Sequence, residues 1–138
     1  MNMKNNISNT FLTWFRIIFY FCAFYFLVMG VMLVLFPHLL VKNAAGGEIN
    51  PVLIGILRGA GGSIIPYSFL YVLIARRPME RRWAAYIIAL ANTIAVVLDF
   101  TSVLIGEYKF IYAMFDVPVE VLSLLVIILF YTRAGKKR

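Results

Sequence analysis

Charged residues and cysteine are both scarce in this chain of 138 residues. Only 14% of the residues are Asp, Glu, Lys or Arg, whereas 63% are apolar. A soluble domain of this size cannot bury so much apolar surface, so the composition indicates a membrane protein. The single cysteine, Cys22, lies inside the first apolar run. This excludes an intramolecular disulfide and a cysteine-ligated metal site.

The sequence also lacks the motifs of common soluble enzymes. It contains no Gly-rich phosphate loop, and its single histidine excludes a His pair for haem or zinc. No Ser or Cys nucleophile has a His nearby in the sequence. These absences argue against a conventional hydrolase or nucleotide enzyme, and we expect no cofactor and no metal ion.

Basic residues are in excess, giving a net charge of +7. Eight of them fall in two clusters next to apolar runs, namely Arg76, Arg77, Arg81, Arg82 and Arg133, Lys136, Lys137, Arg138. Clusters this short and this close to apolar runs are typical of contacts with anionic lipid head groups. We therefore expect membrane lipids, and no nucleic acid, as partners of these clusters.

Four apolar runs are long enough to cross a hydrocarbon layer of about 30 Å. They cover about 11–36, 51–75, 83–105 and 116–131. Asn50 and Pro51 have the types expected of a helix cap and first helical residue, and Asp116 and Pro118 predict a similar start for the fourth span. The pattern predicts a single all-α domain, an antiparallel four-helix bundle integral to the membrane.

The distribution of charge predicts the orientation. The turn 76–82 and the C-terminal tail are strongly basic, while the other two loops balance basic with acidic residues. Because Lys and Arg are retained on the cytoplasmic side, we expect both termini and this turn to be cytoplasmic. Trp14, Trp83 and Tyr131 are then predicted to lie at the inner membrane interface.

Ionisable residues inside the predicted spans are the best candidates for function, because a charge in hydrocarbon is costly. Arg58, Asp99 and Glu120 each lie within about 10 Å of the outer end of a span, at 1.5 Å per residue. We predict that the three meet and that Arg58 pairs with both carboxylates. The extra carboxyl would hold a proton or meet a cation. Such a triad has two alternative roles. It either stabilises the packing of the helix bundle, or it lines a polar cavity that binds a ligand or transfers protons.

Three further residues complete the predicted ligand site. Asn92 and Ser102 lie on the same side of the third span as Asp99. Tyr67 follows Pro66, which is expected to kink its helix beside a cavity. Plain aromatic packing is the alternative role for Tyr67.

Small residues at four-residue intervals mark one face of the second span, at Gly55, Gly59 and Ser63. Such a face lets another helix approach closely. Packing within the chain is one explanation, since Ala91 and Ala95 of the third span offer a matching surface. An interface between copies is the other.

The order of these features resembles that of the small four-helix bacterial membrane proteins grouped as DoxX-like. The resemblance lies in the segments 35–37 (Leu-Phe-Pro) and 57–62 (Leu-Arg-Gly-Ala-Gly-Gly), in Asp99 followed by Gly106, and in Glu120. It implies a four-helix architecture, a bacterial inner membrane and a link to quinone-related oxidoreductase subunits.

Three functions stay open at this point. The first is the binding or transport of a small lipophilic or ionic ligand at Arg58, Asp99 and Glu120. The second is a structural or accessory role in a homo-oligomer or a larger membrane complex, such as a redox complex. The third is a membrane enzyme that acts on a lipid or quinone with those carboxylates as acid or base.

Overall fold

The structure is a computed structural model that describes residues 9–39, 50–107 and 110–135. Four long helices make up these ranges, and we name them α1 (Asn9–Leu35), α2 (Pro51–Arg76), α3 (Arg82–Leu104) and α4 (Phe110–Gly135). Each contains a segment long and apolar enough to cross a membrane. The predicted all-α four-helix membrane bundle is thereby confirmed.

The start of α2 follows the capping pattern of the sequence. The Asn50 side-chain oxygen accepts a hydrogen bond from the Val52 N–H at 2.8 Å. Pro51 occupies the first turn, where its missing N–H leaves no bond unmade. The helix then continues through Pro66 to Arg76.

The predicted start of the fourth helix at Asp116 and Pro118 is wrong. α4 begins at Phe110, so both residues lie inside the helix. Pro118 cannot donate to the Met114 carbonyl, but membrane helices tolerate proline where neighbouring groups satisfy the freed oxygen. As a result Glu120 lies ten residues into α4, or about 15 Å from its start at 1.5 Å per residue.

Neighbouring helices run antiparallel. Arg16, in the second turn of α1, donates from Nε to the Ala75 carbonyl near the end of α2, at 3.1 Å. The rings of Phe15 and Phe130, which join the start of α1 to the end of α4, have centroids 4.1 Å apart. Both contacts lie at the end of the bundle that carries the α2–α3 turn, positions 77–81, which we call the basic end.

Aromatic residues at the basic end divide into exposed and buried groups. Trp14 and Trp83 are 59% and 58% exposed. Tyr131 instead is buried, and its hydroxyl donates to the Pro78 carbonyl at 2.7 Å. Its ring also packs near Tyr86 of α3, with centroids 5.7 Å apart. Tyr131 therefore ties α4 to the turn, and its ring is enclosed by protein, unlike the rings of Trp14 and Trp83.

Glycine allows α1 and α2 to touch. A Cβ on Gly61 would lie 2.7 Å from the Gly30 carbonyl oxygen. By contrast, in the described part of the chain nothing lies within 4 Å of a Cβ built on Gly55 or Gly59, and Ser63 is exposed. The predicted packing of this face against α3 is wrong, because α2 uses Gly61 to contact α1 and leaves the face outside.

Candidate functional site

Three carboxylates approach one another in the half of the bundle away from the basic end. Asp99 lies five residues before the end of α3, and Asp116 and Glu120 are four residues apart on α4. Residues at this spacing share a helix face. Asp99 interacts electrostatically with both of the others, and Asp116 interacts with Glu120. We call these three residues the acidic cluster.

Glu120 is the most enclosed member of the acidic cluster. It is 6% exposed, and within the described ranges its Oε2 is buried without a hydrogen-bond partner. An unpartnered carboxylate oxygen is costly in a protein interior and more so at membrane depth. The position of this oxygen therefore marks where a donor or a positive charge would be stabilising.

Helix α1 reaches the acidic cluster through Tyr25. The Tyr25 hydroxyl lies 3.0 Å from Asp116 Oδ1 and also hydrogen-bonds the Phe115 backbone oxygen. Tyr25 interacts electrostatically with Glu120 as well. These contacts fix the distance between α1 and α4 at the depth of the carboxylates.

A second group of polar side chains lies beside the cluster at the middle of the bundle. Asn92 is 2% exposed and donates from Nδ2 to the Tyr71 hydroxyl at 2.8 Å and to Ser123 Oγ. Its Oδ1 accepts from the Tyr67 hydroxyl at 3.0 Å. This Asn92 network connects α2, α3 and α4, and Tyr67 also interacts electrostatically with Glu120. The network and the acidic cluster are therefore adjacent.

Aromatic rings border the same region. The Phe26 ring lies edge-on to Tyr25 and to Tyr67, with centroids 5.7 Å apart in each case. It stacks on Tyr71 at 5.3 Å. The polar groups of the site are therefore bordered by apolar ring surface.

Arg58 lies apart from the two carboxylates with which it was predicted to pair. Its side chain is exposed, and the structure shows no ion pair between Arg58 and Asp99 or Glu120, all three of which are described. The prediction compared only depths along the helices. Arg58 is four residues after the buried Ile54 and three before the buried Gly61, so it lies near the edge of the buried face of α2, where its side chain remains exposed.

The other predicted site residues divide between the site and its surroundings. Asn92 and Tyr67 lie together, as described above. Ser102 is half-buried in the last turn of α3, where its carbonyl accepts from the Glu107 N–H at 2.9 Å. Among the described residues no hydrogen bond joins the Ser102 hydroxyl to Asn92 or to the acidic cluster.

Asp116, Tyr25 and Ser123 belong to the site but not to the predicted set. Asp116, Glu120 and Ser123 recur at helical spacing within an apolar run, which is the sequence signal for a polar stripe. Assigning Asp116 to a helix cap hides that stripe. Tyr25 has no comparable signal, because aromatic residues are frequent throughout α1.

The arrangement differs from that of a metal site. In the part of the chain that the structure describes, no group of three or more His, Cys, Asp or Glu side chains could hold a metal ion. The acidic cluster offers negative charge, two neighbouring hydroxyls and aromatic rings, which suits a larger cation or a proton. Comparison of the chain with family models, with curated proteins and with solved structures finds no match.

Proposed function

We propose that the chain is a membrane protein that binds a small lipophilic cation at the acidic cluster and moves it through the bilayer. The observation that carries the proposal is the buried Glu120 Oε2, which has no hydrogen-bond partner among the described residues. Asp99 and Asp116 add negative charge around it. A ligand with a positive charge would be stabilised beside these carboxylates, because an uncompensated charge at membrane depth is costly.

The surroundings of Glu120 favour an organic cation over an inorganic one. Tyr25 and Tyr67 interact electrostatically with Glu120, and the Phe26 ring packs against both of them. An organic cation with apolar substituents gains from both the charge and the rings. It also partitions into the bilayer, from which a site about 15 Å along a membrane helix is reached.

The proposal includes a location and an orientation. Basic residues concentrate at the turn 77–81 and after α4, which favours cytoplasmic termini. The acidic cluster then lies in the outer half of the membrane. The resemblance to DoxX-like proteins supports a place in that group and in a bacterial inner membrane.

Binding of tetraphenylphosphonium to the purified protein in detergent tests the proposal. We expect Glu120→Gln, which keeps the shape of the side chain, to weaken binding by about tenfold or more. Glu80→Gln is the matched control, because Glu80 is an exposed carboxylate in the α2–α3 turn. Tetraphenylborate has the same shape with a negative charge and should not bind. Equal affinity of wild type and Glu120→Gln would refute the assignment.

A role as an accessory subunit is the second candidate, and the outer face of α2 favours it. Gly55 and Gly59 are exposed there and touch no other described helix, while Arg58 beside them is exposed as well. A partner helix could approach this face closely. If this role is correct, extraction from the membrane in a mild detergent should yield a complex larger than the single chain. The variant Gly59→Leu should cause that complex to dissociate. A complex of unchanged size in that variant would exclude this face as the interface.

A further inference from the structure

A cavity of about 270 Å³ opens at the basic end of the bundle, remote from the acidic cluster. Its lining includes Arg16 of α1 and Arg76 and Arg77 from the end of α2. The carboxylate of Glu80 and the apolar side chains of Leu12 and Phe130 also line it. The cavity therefore combines positive charge with an apolar wall.

The C-terminal end of α2 positions two of these arginines, Arg16 and Arg76. Arg16 donates from Nε to the Ala75 carbonyl at 3.1 Å, one of the last carbonyls of the helix, which have no partner within it. This bond leaves the terminal amino groups of the Arg16 guanidinium available to an anion. Arg76 is the last residue of α2, where a positive charge is stabilised by the helix dipole.

The cavity carries more positive than negative charge. Glu80 pairs with Arg77 at 3.1 Å. Neither Arg16 nor Arg76 forms an ion pair within the described ranges. Two guanidinium groups thus line one small space without a carboxylate of their own, and planar guanidinium groups bind phosphate through paired hydrogen bonds.

The depth of the cavity indicates the source of the anion. Trp14 is two residues from Arg16, and Trp83 is the second residue of α3; both are exposed, as aromatic residues at a membrane interface are. The cavity is therefore level with lipid head groups. We propose that it binds the phosphate of an anionic phospholipid, with the glycerol region of that lipid against Leu12. This inference is independent of the acidic cluster and its ligand.

Native mass spectrometry of the full chain, stripped of lipid, tests this site. Phosphatidylglycerol is titrated and compared with phosphatidylcholine of identical acyl chains and with inorganic phosphate. We expect phosphatidylglycerol to bind most tightly, and the double variant Arg16→Gln, Arg76→Gln to weaken its first binding step by about tenfold or more. Arg81→Gln is the matched control, because Arg81 is exposed in the same turn but does not line the cavity.

Three outcomes would overturn the proposal. Equal weakening by Arg81→Gln would show diffuse attraction by the turn as a whole. Inorganic phosphate binding as tightly as the lipid would assign the site to the free ion. Unchanged affinity in the double variant would show that the cavity takes no lipid. If the double variant does not fold, Arg76→Gln alone replaces it, because the Arg76 side chain is exposed and forms no ion pair within the described ranges, and the same comparison with Arg81→Gln applies.

Discussion

Gly61 of α2 packs directly on the backbone of Gly30 of α1, and a Cβ on Gly61 would lie 2.7 Å from the Gly30 carbonyl oxygen. A backbone oxygen cannot rotate away, so Gly61→Ala forces the two helices apart. We expect a loss of about 1–3 kcal/mol in the free energy of unfolding, measured by denaturation in detergent. Gly59→Ala is the control, because nothing among the described residues lies within 4 Å of its Cβ. Equal effects of the two variants would contradict this contact.

The Asn92 network should contribute measurably to stability. Asn92→Leu leaves the hydroxyls of Tyr67, Tyr71 and Ser123 without their shared partner. We expect a cost of about 1–3 kcal/mol in the free energy of unfolding. In a double-mutant cycle, Asn92→Leu and Ser123→Ala should couple by about 0.6–1.7 kcal/mol.

Thr93→Val provides the comparison for the Asn92 variant. The Thr93 hydroxyl is exposed, and among the described residues it bonds only the Ala89 carbonyl of its own helix. Its removal should change the free energy of unfolding by less than about 0.5 kcal/mol. A coupling energy near zero between Asn92 and Ser123 would show that their contact contributes nothing to stability.

The proposed orientation is tested by labelling single cysteines in intact cells with an impermeant thiol reagent. Gly46→Cys should react from outside, and Gly135→Cys should react only after the cells are opened. The natural thiol, Cys22, is buried with no exposed surface and should give little background. The reverse pattern would place the acidic cluster in the inner half of the membrane.

The four helices could be predicted from the sequence because apolar runs of this length have one stable state in a bilayer. The first three begin and end within two residues of the predicted spans. The start of α2 can also be predicted, because the cap residue Asn50 and the first-turn residue Pro51 are adjacent in the sequence. The start of α4 was not, because Asp116 and Pro118 satisfy the same local pattern while lying inside a helix.

Only part of the site could be predicted, because the spacing along a helix gives depth more reliably than direction. The sequence predicts Asp99 and Glu120 at one depth, and the two interact electrostatically in the structure. Arg58 has a similar depth, but its side chain is exposed and forms no ion pair with Asp99 or Glu120, all three of which the structure describes. Tyr25 joins the site through a contact 91 residues away in the sequence, and no local pattern encodes such a contact.

The affinity of the protein for tetraphenylphosphonium at different pH values tests whether Glu120 forms a cation site. Protons and the cation compete for the same carboxylates, and the ligand itself does not titrate. Binding to the wild type should therefore weaken as the pH falls from about 8 to about 5, by up to about tenfold per pH unit. Glu120→Gln should bind weakly throughout that range and lose most of the pH dependence. Wild-type affinity that is the same at both ends of the range, or tight binding by Glu120→Gln, would contradict a cation site at Glu120.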